Sequence, residues 1–401
     1  MKKKIFKLAF LLSHPIQYFS PLLEKITLHP DIDLTVYYCS LEGAREMIDV
    51  EFNEVVKWDI ALLNNYKYKR LRNYSLIPST HKKPLGLVNV GIIWEIFNGK
   101  YDAIIIHGWN YVTAWLAYIT SILLRNPLFI RGDSSLYFEL LKPSWKLLIK
   151  KLIFRILFKF VYGFLVVGSS NAKFYSYYGV PKSKMFWTPF AVDNDRFTKK
   201  YDELFSKKME TKKQLGIPHK KVVLLFCAKL INRKNPIDVL MAYEKVRYED
   251  KALVFLGEGN LRKQLEEYAK SKGIENVFFT GFINQSQLPY YYLSSDIVVL
   301  PSIIEPWGLV VNEAMCFHLP IIVSNHVGCH PDLIKHGENG FVYTSGDTNE
   351  LTLYLEKLFT QKELREKMGE KSYEIIKEWD YEQDIDGILK ALQDCCKAKK
   401  K

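Results

Sequence analysis

Short, continuously apolar segments, each followed by a helical stretch, occur in two series along this chain, and no other feature constrains its fold as much. The first series occupies residues 5–12, 34–38, 103–106, 128–130 and 164–167. The second occupies 222–226, 252–256, 277–279, 297–300 and 320–323. Segments apolar on both faces are what strands of a parallel sheet need when helices cover it on both sides. Helical patterns at 112–124, 236–247, 261–270 and 309–317 supply the crossovers. The reading is α/β, with two Rossmann-like doubly wound domains. Two such domains facing each other create a cleft between the carboxyl ends of their sheets, where such folds bind ligands. The expected domains are 1–190 and 191–379, with the helix 380–401 packing back on the first. The polar stretch 193–221 reads as the linker between them.

A length of 401 residues suits two domains, and 48% hydrophobic with 25% charged residues excludes a disordered chain. The net charge of +12 is one-sided: residues 1–190 hold 25 Lys and Arg against 13 Asp and Glu, while the remainder balances. The two halves therefore have different neighbours.

Lys2 to Lys4 followed by 5–12 imitates a signal peptide, but Lys7 interrupts the apolar stretch and His14-Pro15 closes it. It reads as a first buried strand. No run of about 18 uncharged apolar residues suggests a spanning helix. Six cysteines without a C-x-x-C fit a reducing cytosol. Cys316, His318, His326, Cys329 and His330 cluster without paired ligand spacing, so zinc is not expected.

The densest chemical signal is Pro301-Ser302-Ile303-Ile304-Glu305-Pro306-Trp307-Gly308-Leu309-Val310-Val311-Asn312-Glu313-Ala314. A strand ends at Leu300 and a helix starts near Gly308. Amides at a helix start lack intrahelical partners and can hold a phosphate. Glu305 can accept hydrogen bonds from sugar hydroxyls. Glu313, inside the helix, is costly to bury unless it binds something such as a ribose diol. The alternative from spacing alone is a capping glutamate and a surface glutamate.

This stretch resembles the signature of the retaining glycosyltransferases of family 4, which have the GT-B fold. Glu305 and Glu313, with seven residues between them, match the family's paired glutamates. Gly257-Glu258-Gly259, Phe279-Thr280-Gly281-Phe282, Asp296, Pro301-Ser302 and Asn339-Gly340-Phe341 extend the likeness over most of 222–345. The resemblance implies that Glu305 contacts the donor sugar and that Glu313 binds the nucleotide ribose. Trp307, Gly308, Leu309 and Phe282 are grouped with the nucleotide-binding residues. It also implies two cations on the donor diphosphate after strand 222–226. Lys229 stands where the family usually has Arg, which loses the bidentate fork, and Lys234 matches its Lys. Arg233 is a candidate to compensate. Independently of any family, a diphosphate leaving group needs its growing charge neutralised, and two cations with helix amides can do so.

The first domain departs further from the family. Where relatives have a glycine-rich loop, this chain has Ser13-His14-Pro15-Ile16-Gln17, so His14 and Gln17 are candidates to reach the ligand. Asp133, after Arg131-Gly132, takes the approximate place of the family's histidine near the reacting carbon, as nucleophile or as sugar contact. His107, after 103–106, is the nearest other histidine at a strand end. Three D-x-D triplets, at 31–33, 193–195 and 384–386, read as structural, and no metal or other cofactor is expected.

Residues 143–161 form a basic amphipathic helix pattern. Trp145, Leu148, Ile149, Leu152, Ile153, Ile156, Leu157 and Phe160 lie on one face, and Lys146, Lys150, Lys151, Arg155 and Lys159 carry five charges with no acid between. That composition favours an anionic membrane surface over a core helix with solvated lysines. The aromatics are expected to be buried along the apolar side, which argues against nucleic acid. The expected function is metal-independent, retaining transfer of a sugar from a nucleotide-diphosphate donor to an acceptor hydroxyl. The expected acceptor is an envelope glycan or lipid-linked molecule, and the expected location is cytoplasmic, on the inner face of the membrane. The alternatives are a nucleotide-sugar epimerase or phosphorylase of similar fold and a non-catalytic membrane-docking scaffold.

Overall fold

A computed structural model describes residues 4–44, 47–49 and 54–398. The strands are β1 (Phe6–Leu12), β2 (Ile32–Tyr38), β3 (Met47–Asp49), β4 (Glu54–Val56), β5 (Tyr68–Arg70), β6 (Ala103–His107), β7 (Leu128–Gly132), β8 (Gly163–Val166) and β9 (Met185–Trp187). They continue with β10 (Val222–Cys227), β11 (Lys251–Leu256), β12 (Val277–Gly281), β13 (Ile297–Leu300), β14 (Ile321–Ser324) and β15 (Gly340–Tyr343).

The chain forms two compact units, one of residues 1–47, 60–190 and 381–401, the other of 48–59 and 191–380. The first unit carries a seven-stranded parallel sheet in the order β5-β2-β1-β6-β7-β8-β9. The second carries a six-stranded parallel sheet in the order β12-β11-β10-β13-β14-β15. Counted along each sheet, the second follows the 3-2-1-4-5-6 order of doubly wound sheets, and the first follows the same order with a seventh strand, β9, added at its edge. Each therefore has a topological switch point, between β1 and β6 and between β10 and β13, where loops diverge and leave a crevice at the carboxyl ends.

Burial drives both sheets. Every residue of β10 and β13 is buried, as are six of the seven in β1. In the first unit, helices Gly91–Gly99, Val112–Leu123 and Ser144–Leu157 cover one face. Their Ile92, Ile96, Ala117, Tyr118 and Phe154 share a core with Ile104, Ile106, Leu128 and Ile130. In the second, Leu240, Tyr243, Leu265, Leu351 and Leu355 pack on Leu224, Phe226, Leu253 and Val299.

Two parts of the chain differ from the sequence expectation. The stretch 193–221 is not a linker but helical over Asn194–Leu204 and Lys208–Gln214, and it belongs to the second unit. Asp193 caps it by accepting from the Arg196 amide at 3.1 Å. Its lysines resemble a solvated run in sequence, yet Lys208 and Lys212 bracket Asp296 at 2.8 and 3.0 Å. Burial alone would raise the Asp296 carboxyl, but the two lysines hold it below its ordinary range. Residues 48–59 belong to the second unit although the first unit surrounds them in sequence. Asp59 accepts from the Ser286 amide at 3.1 Å, and Trp58 packs edge-on against Phe282 at 5.8 Å.

Candidate functional site

The switch point of the second unit collects most of the predicted residues. Lys229 and Lys234 follow β10, and Glu305 follows β13, its neighbour in the sheet. Lys234 ends a short 3-10 turn, Asn232–Lys234, held by a left-handed Asn235 at φ +53° before Pro236 opens the next helix. The Arg233 carbonyl accepts from the Ile303 amide at 2.9 Å and pins the two loops together. The Lys234 ammonium consequently pairs with the Glu305 carboxylate, and the Ser302 hydroxyl reaches the same oxygen at 3.5 Å. Two residues assigned separate tasks from sequence thus form one charged pair, partly buried on both sides.

Close backbone approach explains the glycines. A Cβ on Gly257 or Gly259 would lie 2.1 Å from the Ala228 carbonyl oxygen or 2.3 Å from that of Leu230. Only glycines let the loop after β11 brace the loop that carries Lys229. Gly308 sits at φ +102° and starts the seven-residue helix Leu309–Met315. The Glu305 carbonyl accepts from the Gly328 amide at 2.9 Å, and the Trp307 carbonyl from the Cys329 amide at 3.0 Å.

Glu313 is buried in that helix and accepts from the Tyr292 hydroxyl at 2.6 Å. Burial pushes its pKa up to about 7, against the opposing effects of that hydrogen bond and of Arg196. Tyr292 and Arg196 were not singled out from sequence. Tyr292 reads as an ordinary core aromatic, and Arg196 lay in the stretch taken as a linker.

The Trp307 ring is buried at 3% exposure, donates to the Asn312 side-chain oxygen at 3.0 Å, and stacks on Trp379 at 5.5 Å. Phe282 follows the left-handed Gly281 after β12. Trp58, which no motif marked, stands against it.

In the first unit the predicted residues lie at three strand ends. His14 follows β1, His107 ends β6, and Asp133 follows β7. Burial lowers His14 to about 4 and His107 to about 3, the latter helped by the nearby Arg131 charge. Both rings are therefore neutral at physiological pH. His107 packs edge-on against Phe19 at 4.7 Å, and its buried Nδ1 has no partner among the described residues. The Ser13 hydroxyl and His14 Nδ1 are 2.9 Å apart, and Gln17 is half-buried in the same loop. Asp133 is exposed at its strand end. Arg131, one pleat earlier, is fully buried and makes a bidentate pair with Asp384 of the terminal helix, both bonds at 2.6 Å. Asp384, taken from sequence as part of a structural triplet, is the buried partner of Arg131.

The basic helix spans Ser144–Leu157, and its apolar face is open. Trp145, Leu148, Leu152, Ile156 and the following Phe160 are each 56–62% exposed, and only Phe154 is buried within the helix. The expectation that its aromatics are buried therefore fails for Trp145 and Phe160. Its cations are also not all outward. Lys150 pairs with buried Glu139 at 2.7 Å, and its ammonium lies 4.8 Å from the Phe154 ring centroid. On helices Gly91–Gly99 and Val112–Leu123, Trp94, Phe97, Ile119 and Leu123 are exposed as well. Among the described residues, no helix is long and apolar enough to cross a membrane.

Comparison with known proteins agrees with this geometry. Residues 207–375 match the family model of glycosyl transferases group 1. An uncharacterized glycosyltransferase of Methanocaldococcus jannaschii is 34% identical over 138 residues, which are 34% of this chain and 35% of that protein. The N-acetyl-alpha-D-glucosaminyl L-malate synthase of Bacillus anthracis is 31% identical over 171 residues, 42% of this chain and 44% of the relative. The chain thus spans less than half the length of these curated relatives. Anabaena HepE, solved with UDP and glucose, superposes with a TM-score of 0.73 over 97% of this chain and 100% of its own, at 17% identity. That likeness identifies the fold as GT-B.

Proposed function

We propose that this protein is a metal-independent, retaining glycosyltransferase that moves a sugar from a nucleotide-diphosphate donor to an acceptor hydroxyl. The observation that carries the reading is the Lys234–Glu305 pair beside buried Glu313, at the switch point of the stretch that matches group 1 transferases. The fold relative HepE was solved with UDP and glucose, the two halves of such a donor.

In this mechanism, the bond between the anomeric carbon and the diphosphate oxygen breaks, and its electron pair leaves with the diphosphate. Lys229 and Lys234, with the amides at Gly308 and Leu309, neutralise the charge that develops there. Arg233 adds to that field. Glu305 holds the sugar hydroxyls and Lys234 in one arrangement, and Glu313 accepts from the ribose diol. The acceptor oxygen bonds to the anomeric carbon on the face the diphosphate leaves, and the acceptor proton passes to a leaving phosphate oxygen. Asp133 contacts the sugar near the reacting carbon. His14, Gln17 and neutral His107 serve as uncharged hydrogen-bonding groups for the acceptor side. The open apolar helix face with its cationic flank supports docking on an anionic membrane, with a lipid-linked or envelope glycan as acceptor. Its exposed side chains are chiefly aliphatic, a surface that nucleic acid would not cover.

A panel of nucleotide sugars, scored by thermal shift and then by product analysis on lipid-linked acceptors, tests the proposal. Transfer with retained anomeric configuration, unaffected by a chelator, is the expected outcome. Near-normal transfer in folded Glu305→Ala and Lys234→Ala variants would sink it.

A further inference from the structure

On the first unit, away from the carboxyl ends of its sheet, a cavity of about 650 Å³ opens among the loops that lead into β7, β8 and β9. Its polar lining includes Arg125, Asn126, Lys159, Lys184, Tyr162 and Asp394. Three cations face one carboxylate there, and that carboxylate accepts from the Tyr162 hydroxyl at 2.9 Å. The Lys184 ammonium donates to the Lys159 and Val161 carbonyls at 3.2 and 2.7 Å, which fixes its position and leaves a third donor for a ligand oxygen.

Arg125 occupies an unusual place. The helix Val112–Leu123 ends in a Schellman arrangement, with the Arg125 amide on the Ile122 carbonyl at 3.0 Å and the Asn126 amide on that of Ser121 at 2.9 Å. Arg125 itself is left-handed, at φ +56°. Glycine is the usual occupant of that position, yet the chain carries an arginine there at the mouth of a cationic cavity. Along the same edge, Leu123 is 77% exposed and Phe160 56%, so the cavity opens beside the apolar face.

We propose that this cavity seats the phosphate headgroup of an anionic phospholipid, with the acyl chains passing over Leu123 and Phe160. The inference rests on the membrane reading above and adds a discrete site to it. Cations alone would serve any phosphate. The adjoining exposed apolar side chains commit the site to a lipid, because a free phosphate has nothing to cover them.

The test uses the full chain and the Arg125→Gly/Lys159→Gln variant. Glycine suits the left-handed position, so the variant is expected to melt at or above the wild-type temperature. Calorimetry with dispersed short-chain phosphatidylglycerol should show binding to the wild type and a loss of about tenfold or more in the variant, which lacks two of the three cations. Inorganic phosphate should bind far more weakly than the lipid in both. Sedimentation with phosphatidylcholine vesicles, with and without phosphatidylglycerol, separates the two claims. A wild type that ignores anionic vesicles overturns the membrane reading and the seat together. A wild type that sediments, with a folded variant that binds phosphatidylglycerol equally well, overturns the seat alone. Inorganic phosphate binding as tightly as the lipid also overturns it.

Discussion

The two units share a strand order but use their charges differently. In the second, charge stands at the switch point: Lys234 pairs with Glu305 at side-chain exposures of 14% and 11%, and Glu313 is buried close by. In the first, the Arg131–Asp384 pair is hidden at 1% and 0% exposure, His14 and His107 are held neutral, and Asp133 alone of the predicted residues there stands exposed with a charge. Its positive surplus lies outside the sheet, on helices and loops. One topology therefore supports two tasks, and what stands just past the strand ends decides which.

The largest expected effect separates a structural pair from a functional one. Asp384→Ala leaves Arg131 buried without its partner and should destabilise the protein by about 3–5 kcal/mol in urea unfolding. Lys234→Ala should cost far less stability but lower transfer by about 10²–10³-fold, the usual scale for removing a group that stabilises developing charge. Removing Glu305 as well should add little, because the two act as one unit. If Lys234→Ala unfolds the protein and Asp384→Ala does not, the contrast between the units is reversed.

A smaller effect concerns pH. Glu313 is raised from an ordinary 4.5 to about 7, so the folded protein keeps a proton that the unfolded chain loses earlier. Its stabilising contribution is full below about pH 4.5 and is lost as pH rises through 7, a change of up to about 3 kcal/mol. Glu313→Gln should abolish this slope in urea titrations. Nucleotide affinity should move the opposite way, tightening as the carboxylate forms in the wild type and staying flat in the variant. The smallest effect is at His107, which burial already keeps neutral. His107→Gln should leave the pH–rate profile above about pH 5 unchanged in shape. An acidic limb above about pH 5 that the variant loses would show that the ring titrates in turnover.

Both sheets were legible because their inner strands are continuous apolar runs, as in Val222–Cys227. Strands β5 and β9 escaped, since three-residue edge strands such as exposed Tyr68–Arg70 carry no such signal. Glu305, Glu313 and Lys234 could be marked by spacing and resemblance, but not the Lys234–Glu305 contact. That contact depends on the Arg233 carbonyl holding a loop seventy residues further along the chain. Arg131 was passed over because its partner lies 253 residues away in the terminal helix. The same holds for Arg196, Tyr292 and Trp58, whose importance comes from tertiary neighbours. The basic amphipathic helix was marked by its one-signed charge, but the exposure of Trp145 and Phe160 on its apolar side was not legible, since periodicity alone does not show whether a face is covered.

The central claim is that the second unit binds a nucleoside diphosphate through Lys234. Calorimetric titration of the wild type and Lys234→Ala with nucleosides and nucleoside diphosphates tests it most directly. The account predicts that one nucleoside diphosphate binds the wild type and loses at least tenfold in affinity in the variant, while the nucleoside alone binds both equally. A wild type that binds no nucleoside diphosphate, or a folded variant that binds one as tightly, would contradict it.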